Sequence, residues 1–159
     1  MLIAHGPIAI IATKISNGRI LKTLKKKELI LLYLFSFFLG IFPDFDILYL
    51  ASVGKPPFLH HSLLSHTPIL WIVVTMLIAI VLEYFKWPKS NTKRKIIYVT
   101  ILASSISHML ADLIGGHIMF FTPFYSQYLT ILGNIFPDNL FAGYFANPLF
   151  ALEILFISI

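Results

Sequence analysis

Ionisable side chains in this chain lie inside or beside long apolar stretches, where such residues are rare. Placing an imidazole or a carboxylate in hydrocarbon is costly, so residues of this kind are usually partnered and functional. Imidazole nitrogens and carboxylate oxygens are also ligands that zinc takes in proteins. The chain contains no cysteine, which excludes thiolate ligands. The sequence therefore predicts a centre for about one to three Zn²⁺ ions, with the ligands His5, Asp44, Asp46, His61, His66, His108 and Asp112.

The first group of candidate ligands surrounds a proline, in the order Gly40, Pro43, Asp44 and Asp46. On a regular helix, two residues that are two positions apart point to different sides. Proline interrupts a helix, and a local break would let both carboxylates turn towards one centre. The alternative is a helix end at which the two aspartates cap the next turn. Two carboxylates at membrane depth need a partner, which favours the metal interpretation.

The second group places three histidines within seven residues, at His60, His61 and His66. The last two are five positions apart, which does not align them on an ideal helix. A junction between a loop and a helix could still aim both at one ion. In the alternative interpretation, Ser65 or Thr67 caps the helix that follows. The role of His60 is left open.

The third group is His108 and Asp112, which share one helix face because they are four residues apart. The same spacing lets two histidines of a helix bind zinc. The alternative is a hydrogen-bonded pair that only stabilises helix packing. His5 stands alone, so a packed or interfacial histidine is its alternative. His117 could be a ligand, a substrate contact or a loop residue, and Asp138 is expected in a turn or cap.

The composition indicates a membrane protein. The chain has 159 residues, 58% hydrophobic and 12% charged, whereas soluble domains carry about 25% charged residues. The length suits a single domain over residues 1–159. We expect an all-α, polytopic integral membrane bundle of four to five transmembrane or re-entrant helices. The predicted segments are 28–51, 68–85 (extending back to residue 62), 96–121 and 140–159, together with a shorter helix over 2–15.

The basic residues predict the orientation. All but Lys55 lie in the short segments 14–27 and 86–95 between apolar stretches. Positive loops of this kind are typically cytoplasmic, and they can contact anionic lipid headgroups. We therefore expect membrane lipid as a partner, no nucleic acid, and a location in the plasma or inner membrane. No cleavable signal peptide is evident, so the first helix is expected to be retained. The oligomeric state is not predicted.

The candidate ligands are predicted to lie at one depth. At a rise of ~1.5 Å per residue, Asp44 lies about 24 Å from the start of its segment. His108 and Asp112 lie about 18 and 24 Å from the start of theirs. His5 and His66 are also placed near the outer ends of their segments. Residues far apart in the sequence thus converge on the outer third of the membrane, facing the outside.

Taken in order, these motifs resemble the YdjM-type family of LexA-regulated, membrane-bound, metal-dependent hydrolases. That family shows an N-terminal His, then Pro-Asp-x-Asp, His-Arg-x-x-Thr-His-Ser, His-x-x-x-Asp and Pro-Phe-Ser. The positions that match here are His5, then Pro43, Asp44 and Asp46, then His61, Ser65, His66 and Thr67, then His108 and Asp112, then Pro123, Phe124 and Ser126. The family Arg is replaced by Ser62, which leaves the substrate class open.

The ligand order is more loosely similar to zinc-dependent phospholipase C and S1/P1 nucleases. In those enzymes, a helix with the His-x-x-x-Asp pattern supplies ligands, and its Asp can bridge metal ions. The resemblance implies a helical enzyme with clustered zinc ions. Fold analogy alone does not establish a function.

The expected function is hydrolysis of a phosphoester in a lipid or lipid-linked substrate at the extracytoplasmic membrane face. Zinc would lower the pKa of a bound water and polarise the scissile group. Asp44 could act as the catalytic general base instead of a ligand. One alternative is a metal-ion or proton transporter, which the apolar inner stretches 29–38 and 72–81 disfavour. The other is a non-catalytic membrane structural subunit.

Overall fold

The computed structural model describes residues 4–131, and over that range the chain is helical without any β-strand. The predicted all-α class is confirmed for these residues. The predicted segment 140–159 and Asp138 lie outside them. The α-helices are α1 (His5–Asn17), α2 (Lys26–Ile41), α3 (Asp46–Ser52), α4 (Pro68–Tyr84) and α5 (Asn91–Gly115). Four 3₁₀ turns span Gly18–Thr23, Phe42–Phe45, Pro57–Ser62 and Leu64–His66.

Two helical stretches are long and apolar enough to cross a membrane, judged by length and composition alone. They are Lys26–Ser52, with 27 residues, and Asn91–Ile114, with 24 residues. The first runs through the 3₁₀ turn that joins α2 to α3. α4 is also apolar but has only 17 residues. The count of four to five spanning helices therefore stays a prediction.

Two predicted boundaries are wrong. The segment predicted over 96–121 is a helix that begins at Asn91 and ends at Gly115. The helix predicted to reach back to residue 62 begins at Pro68 instead. Proline suits the first turn of a helix, because its missing N–H would have no partner there. The residues before it form 3₁₀ turns, and these carry the histidines of the second group.

A stripe of buried residues four positions apart runs along each of α1, α2 and α5. α1 packs against α2 and α5, and α4 packs against α5. Side chains four positions apart form a ridge along a helix, and α5 buries a second row that comprises Ile101, Ser105 and Met109. The stripes are His5, Ala9, Thr13 and Asn17 on α1, Leu32, Ser36 and Gly40 on α2, and Ile96, Thr100, Ser104, His108 and Asp112 on α5.

The outer faces of the helices are apolar while the stripes between them are largely polar. The exposed side chains of α2 include Ile30, Leu34 and Phe38. Those of α4 include Met76 and Ile80. Soluble domains bury their large apolar residues and rarely expose contiguous apolar surface. In this bundle, large apolar side chains of the outer faces are exposed, whereas polar side chains between the helices are buried.

α1 and α2 pack almost backbone to backbone at Gly40. A Cβ atom added to Gly40 would lie 2.5 Å from the carbonyl oxygen of His5 and 2.6 Å from Cβ of Ala9. Small residues allow this close approach of two helices. The position of His5 in the bundle therefore depends on the missing side chain of Gly40.

Replacing Gly40 with alanine should destabilise the protein by about 1–3 kcal/mol, because the methyl group meets backbone of α1. A glycine-to-alanine change inside a helix ordinarily stabilises by about 0.5–1 kcal/mol, so the expected sign is opposite. Thermal unfolding in detergent micelles measures the effect. Gly6→Ala is the control: the three atoms nearest to its added methyl all belong to the Phe37 ring, which is a side chain and not backbone. A Gly40→Ala variant at least as stable as the wild type would contradict the close approach.

Candidate metal centre

Five imidazoles gather around two carboxylates, those of Asp44 and Asp112. The Nε2 atom of each imidazole lies between 3.0 and 3.8 Å from an oxygen of one of these carboxylates. The five are His5, His60, His61, His66 and His108. The structure thus brings together residues from α1, α5, the turn after α2 and the turns before α4.

The turn after α2 directs Asp44 into the bundle. α2 ends at Ile41, and the 3₁₀ turn Phe42–Phe45 contains Pro43, which cannot donate a backbone hydrogen bond. Asp44 is buried, and Asp46 begins α3 just beyond it. Within the described residues, neither helix start carries a side-chain capping bond. The local break was predicted correctly, and the capping alternative is wrong.

The two 3₁₀ turns before α4 hold three histidines side by side. The ring centroids of His60 and His61 are 3.9 Å apart, and each lies 5.1 Å from that of His66. The alternative in which Ser65 or Thr67 caps α4 is wrong. Thr67 occupies the N-cap position of α4, but its hydroxyl donates to the Leu64 carbonyl oxygen at 2.7 Å and makes no capping bond to the helix in the described structure.

The ligand atoms form two groups, within each of which all atoms lie within 4.8 Å of one another. One group comprises His60, His61 and His66, and the other comprises His5, Asp44, His108 and Asp112. All four residues of the second group are buried. His60 and His61 are 13% and 19% exposed and form the mouth of the centre, whereas His66 of the same group is buried.

The spacing of these atoms suits a metal ion. Tetrahedral zinc with bonds of about 2.0–2.2 Å holds its ligand atoms about 3.4 Å apart. The Nε2–oxygen distances from 3.0 to 3.8 Å bracket that value. A donor set of nitrogen and oxygen without sulfur also admits other divalent transition metals. The buried group could therefore hold a metal ion, whose identity the geometry does not specify.

Several buried polar atoms at the centre make no hydrogen bond within the described structure. They include Nε2 of His66, Nε2 of His108 and Oδ2 of Asp44. Leaving such an atom without a hydrogen bond costs about 1–3 kcal/mol. A cation among them would supply the missing partner.

The carbonyl of Gly40 fixes the ring of His108. Nδ1 of His108 lies 2.6 Å from this carbonyl oxygen, so Nδ1 carries the proton and donates it. The Nε2 lone pair is then left facing Asp44 and Asp112 at 3.6 and 3.0 Å. Histidines that bind metals are commonly oriented by such a bond through the other ring nitrogen.

Asp46, which was predicted as a ligand, lies outside both groups. Its Oδ2 is 3.1 Å from Nδ1 of His66, whereas Nε2 of that ring faces Asp44 at 3.4 Å. The Ser65 hydroxyl donates to the same oxygen of Asp46, and the Trp71 indole donates to the Ser65 carbonyl at 2.8 Å. Asp46 therefore orients His66 from behind the ring.

The histidines before α4 differ in charge when no cation is bound. Burial lowers the pKa of His61 to about 3 and keeps its imidazole neutral. Burial also acts to lower the pKa of His66, but the carboxylates of Asp44, 3.4 Å from Nε2, and Asp46, 3.1 Å from Nδ1, outweigh it and raise that pKa to about 9. A metal ion that binds His66 must therefore displace a proton.

Two features of the site were not predicted. His60, whose role was left open, joins the cluster, and the carbonyl of Gly40 holds His108. The adjacency of His60 to His61 was the available signal for the first. For the second, the only signal was the glycine just before the proline break. His117 belongs to neither ligand group, and its ring lies 6.4 Å from that of Tyr128.

Comparisons with protein-family models, curated proteins and solved structures find no match to this chain. The resemblance to the YdjM-type family therefore stays a prediction that rests on the motifs.

Replacing Asp46 with asparagine should weaken metal binding by about 10–100-fold, as expected for a residue that only orients a ligand. Replacing Asp112 with asparagine should remove high-affinity binding, because Asp112 contacts four of the imidazoles directly. Titration of metal-free protein with Zn²⁺ by calorimetry compares the two variants. A loss of binding in Asp46→Asn as complete as in Asp112→Asn would show that Asp46 is itself a ligand.

Proposed function

We propose that the protein is a membrane-embedded, metal-dependent hydrolase that cleaves a phosphoester of a lipid or lipid-linked substrate. The observation that supports this most is the enclosure of two buried carboxylates by five imidazoles. Zinc is the proposed metal because imidazole nitrogens and carboxylate oxygens are among its usual ligands in proteins. The proposed ligands are Asp44, Asp112 and the five histidines, with Asp46 behind His66.

The arrangement favours more than one cation. Oδ1 of Asp44 faces His60, His66 and His108, whereas its Oδ2 faces His5. Asp112 likewise turns one oxygen to His5 and the other to His61, His66 and His108. Carboxylates that face both ligand groups could help to hold two cations, which would supply the chemistry of a two-metal hydrolytic site.

A divalent cation bound there would polarise a phosphoryl oxygen and lower the pKa of water to about 7. His60 and His61 lie at the mouth, so a substrate that enters the centre passes them first. Oδ2 of Asp44 makes no hydrogen bond in the described structure and is free to accept a proton. If Oδ2 does not bind a cation, Asp44 is our candidate for the general base instead of a ligand through both oxygens.

The reversed distribution of polar and apolar residues supports a membrane location. Lipid solvates the apolar outer faces of a bundle, and polar side chains pair between its helices. Lys93 contacts Glu28, so the two basic segments meet at one end of the bundle. The metal centre lies at the other end. We propose four to five spans, with the basic end cytoplasmic and the centre facing outside the plasma or inner membrane.

A site near the outer membrane surface suits a phosphate at headgroup depth. Ser62, which replaces the Arg of the resembling family, donates its hydroxyl to the Leu59 carbonyl at 2.6 Å. It therefore satisfies its own backbone and supplies no positive charge. Recognition of an anionic substrate would then rest on the bound cations.

Replacing His108 or Asp112 with alanine should reduce metal-dependent hydrolysis of lipid phosphoesters to background, because either change removes a ligand. The assay follows phosphate release from mixed micelles, with chelated protein as the blank and added Zn²⁺ as the restoration. His117→Ala is the matched control and should keep full turnover, since that histidine lies outside the centre. Turnover that persists in His108→Ala without bound metal would contradict the proposal.

A metal-ion or proton transporter is the second candidate, and one observation favours it. The inner stretches of α2 and α4 are mostly apolar, but α1 and α5 carry buried polar residues on the basic side of the centre. Among them, Asn17 donates to the Thr100 hydroxyl at 3.3 Å. Buried polar groups at such depth can mark an ion path.

Proteoliposomes that contain a zinc-sensitive dye distinguish transport from hydrolysis. The hydrolase proposal expects Zn²⁺ entry no faster than in vesicles with the Asp112→Ala variant. Entry that depends on Asp112 would favour the transporter. A metal-free preparation that stays folded and binds no zinc would instead favour the structural subunit.

A further inference from the structure

Three hydroxyls from three different helices form a closed triangle inside the bundle, outside the metal centre. The oxygens of Thr13 and Ser36 are 2.8 Å apart, those of Ser36 and Ser104 are 2.9 Å apart, and those of Thr13 and Ser104 are 3.3 Å apart. All three side chains are fully buried. Since each hydroxyl donates once, a ring of three bonds uses every proton.

The triangle lies on the same stripes as the metal centre. Ser36 is four residues before Gly40 on α2, and Ser104 is four residues before His108 on α5. At ~1.5 Å per residue, each lies about 6 Å below the centre. Thr13 is eight residues after His5 on α1, about 12 Å along a helix that runs away from the centre.

Hydrogen bonds between helices fix the axial register and the rotation of the helices, which apolar packing alone leaves adjustable. A helix that slips by one residue moves ~1.5 Å along its axis, and the next side chain lies about 100° around it. Such a slip would separate the hydroxyls and leave them unpaired in a medium that offers no water. The triangle therefore restricts both the register and the rotation of α1, α2 and α5.

We propose that Thr13, Ser36 and Ser104 are positioning residues for the metal centre. By locking the register of their three helices, they hold His5 and His108 at the level of the carboxylates. The inference rests on the proposed metal centre and concerns residues that touch neither metal nor substrate.

Ser105 is a matched control for Ser104. It is the next residue of α5 and is also fully buried, but its hydroxyl donates to the Ile101 carbonyl of its own helix at 2.7 Å. A bond within one helix carries no information about register. Ser104→Ala and Ser105→Ala thus remove the same group from neighbouring buried positions, with and without a contact between helices.

Co²⁺ titration of metal-free protein tests the proposal, with the visible absorption of bound Co²⁺ as the readout. Ser104→Ala should weaken binding by about 10–100-fold, the range seen when the support of a ligand is lost, and should shift the absorption bands. Ser105→Ala should bind as the wild type does. Thr13→Val should behave like Ser104→Ala, whereas Thr13→Ser, which keeps the hydroxyl, should restore wild-type binding.

Thermal unfolding of the metal-free variants separates positioning from general stability. The positioning role predicts weaker Co²⁺ binding in Ser104→Ala even where its metal-free form unfolds at the same temperature as Ser105→Ala. If Ser104→Ala does not fold, the comparison of Thr13→Val with Thr13→Ser decides. Equal Co²⁺ binding in Ser104→Ala and Ser105→Ala, or in the two Thr13 variants, would overturn the inference while leaving the metal centre intact. A wild-type protein that binds no Co²⁺ would overturn both.

Discussion

The burial of two carboxylates among apolar helices is the constraint on which this structure depends. An ionised Asp44 or Asp112 in such surroundings needs opposite charge close by, since removal from water is costly. The surrounding imidazoles supply part of that charge, His66 by carrying a proton at neutral pH. A divalent cation would supply the rest and would release that proton. The folded state and the capacity to bind metal are therefore linked through the same side chains.

In the bundle around the centre, buried polar side chains lie between the helices and large apolar side chains lie on the outer faces. In the proposed membrane location, lipid tails would give no hydrophobic drive for helices to associate, so close packing and interhelical hydrogen bonds would have to hold them together. The four-residue stripes provide both, with small residues such as Ala9 and Gly40 next to hydroxyls. The stripe of α5 continues from Thr100 through His108 to Asp112. The residues that pack α5 against its neighbours and the candidate ligands His108 and Asp112 thus share one face of this helix.

Much of the centre could be predicted from the sequence, because ionisable residues are conspicuous in an apolar chain. The fixed rise of a helix also gives the depth of each residue from its number. His108 and Asp112 needed only the helical repeat. The location of Asp46 behind His66 could not be predicted, since it depends on the 3₁₀ turn after Pro43. Serine and threonine in helices often donate their hydroxyl to a carbonyl of their own helix, as Ser105 does. The sequence therefore gave no sign that the three hydroxyls of the triangle bond to one another. The segment from residue 68 to 85 was predicted, but its extension back to residue 62 was wrong, because the residues before Pro68 form 3₁₀ turns that carry the histidines.

Gly40 links the packing of the helices to the geometry of the centre. Its missing side chain admits the backbone of α1 and so brings His5 to the centre. Its carbonyl, near the end of α2, accepts from His108 and selects the tautomer whose Nε2 faces the carboxylates. The proline three residues later ends the helix and turns Asp44 inward. The short segment from Gly40 to Asp44 therefore positions His5, His108 and Asp44. Its backbone contributes to this as much as its side chains do. A centre built this way cannot be moved along the bundle, because the helix break, the close approach and the ligands must all fall at one level.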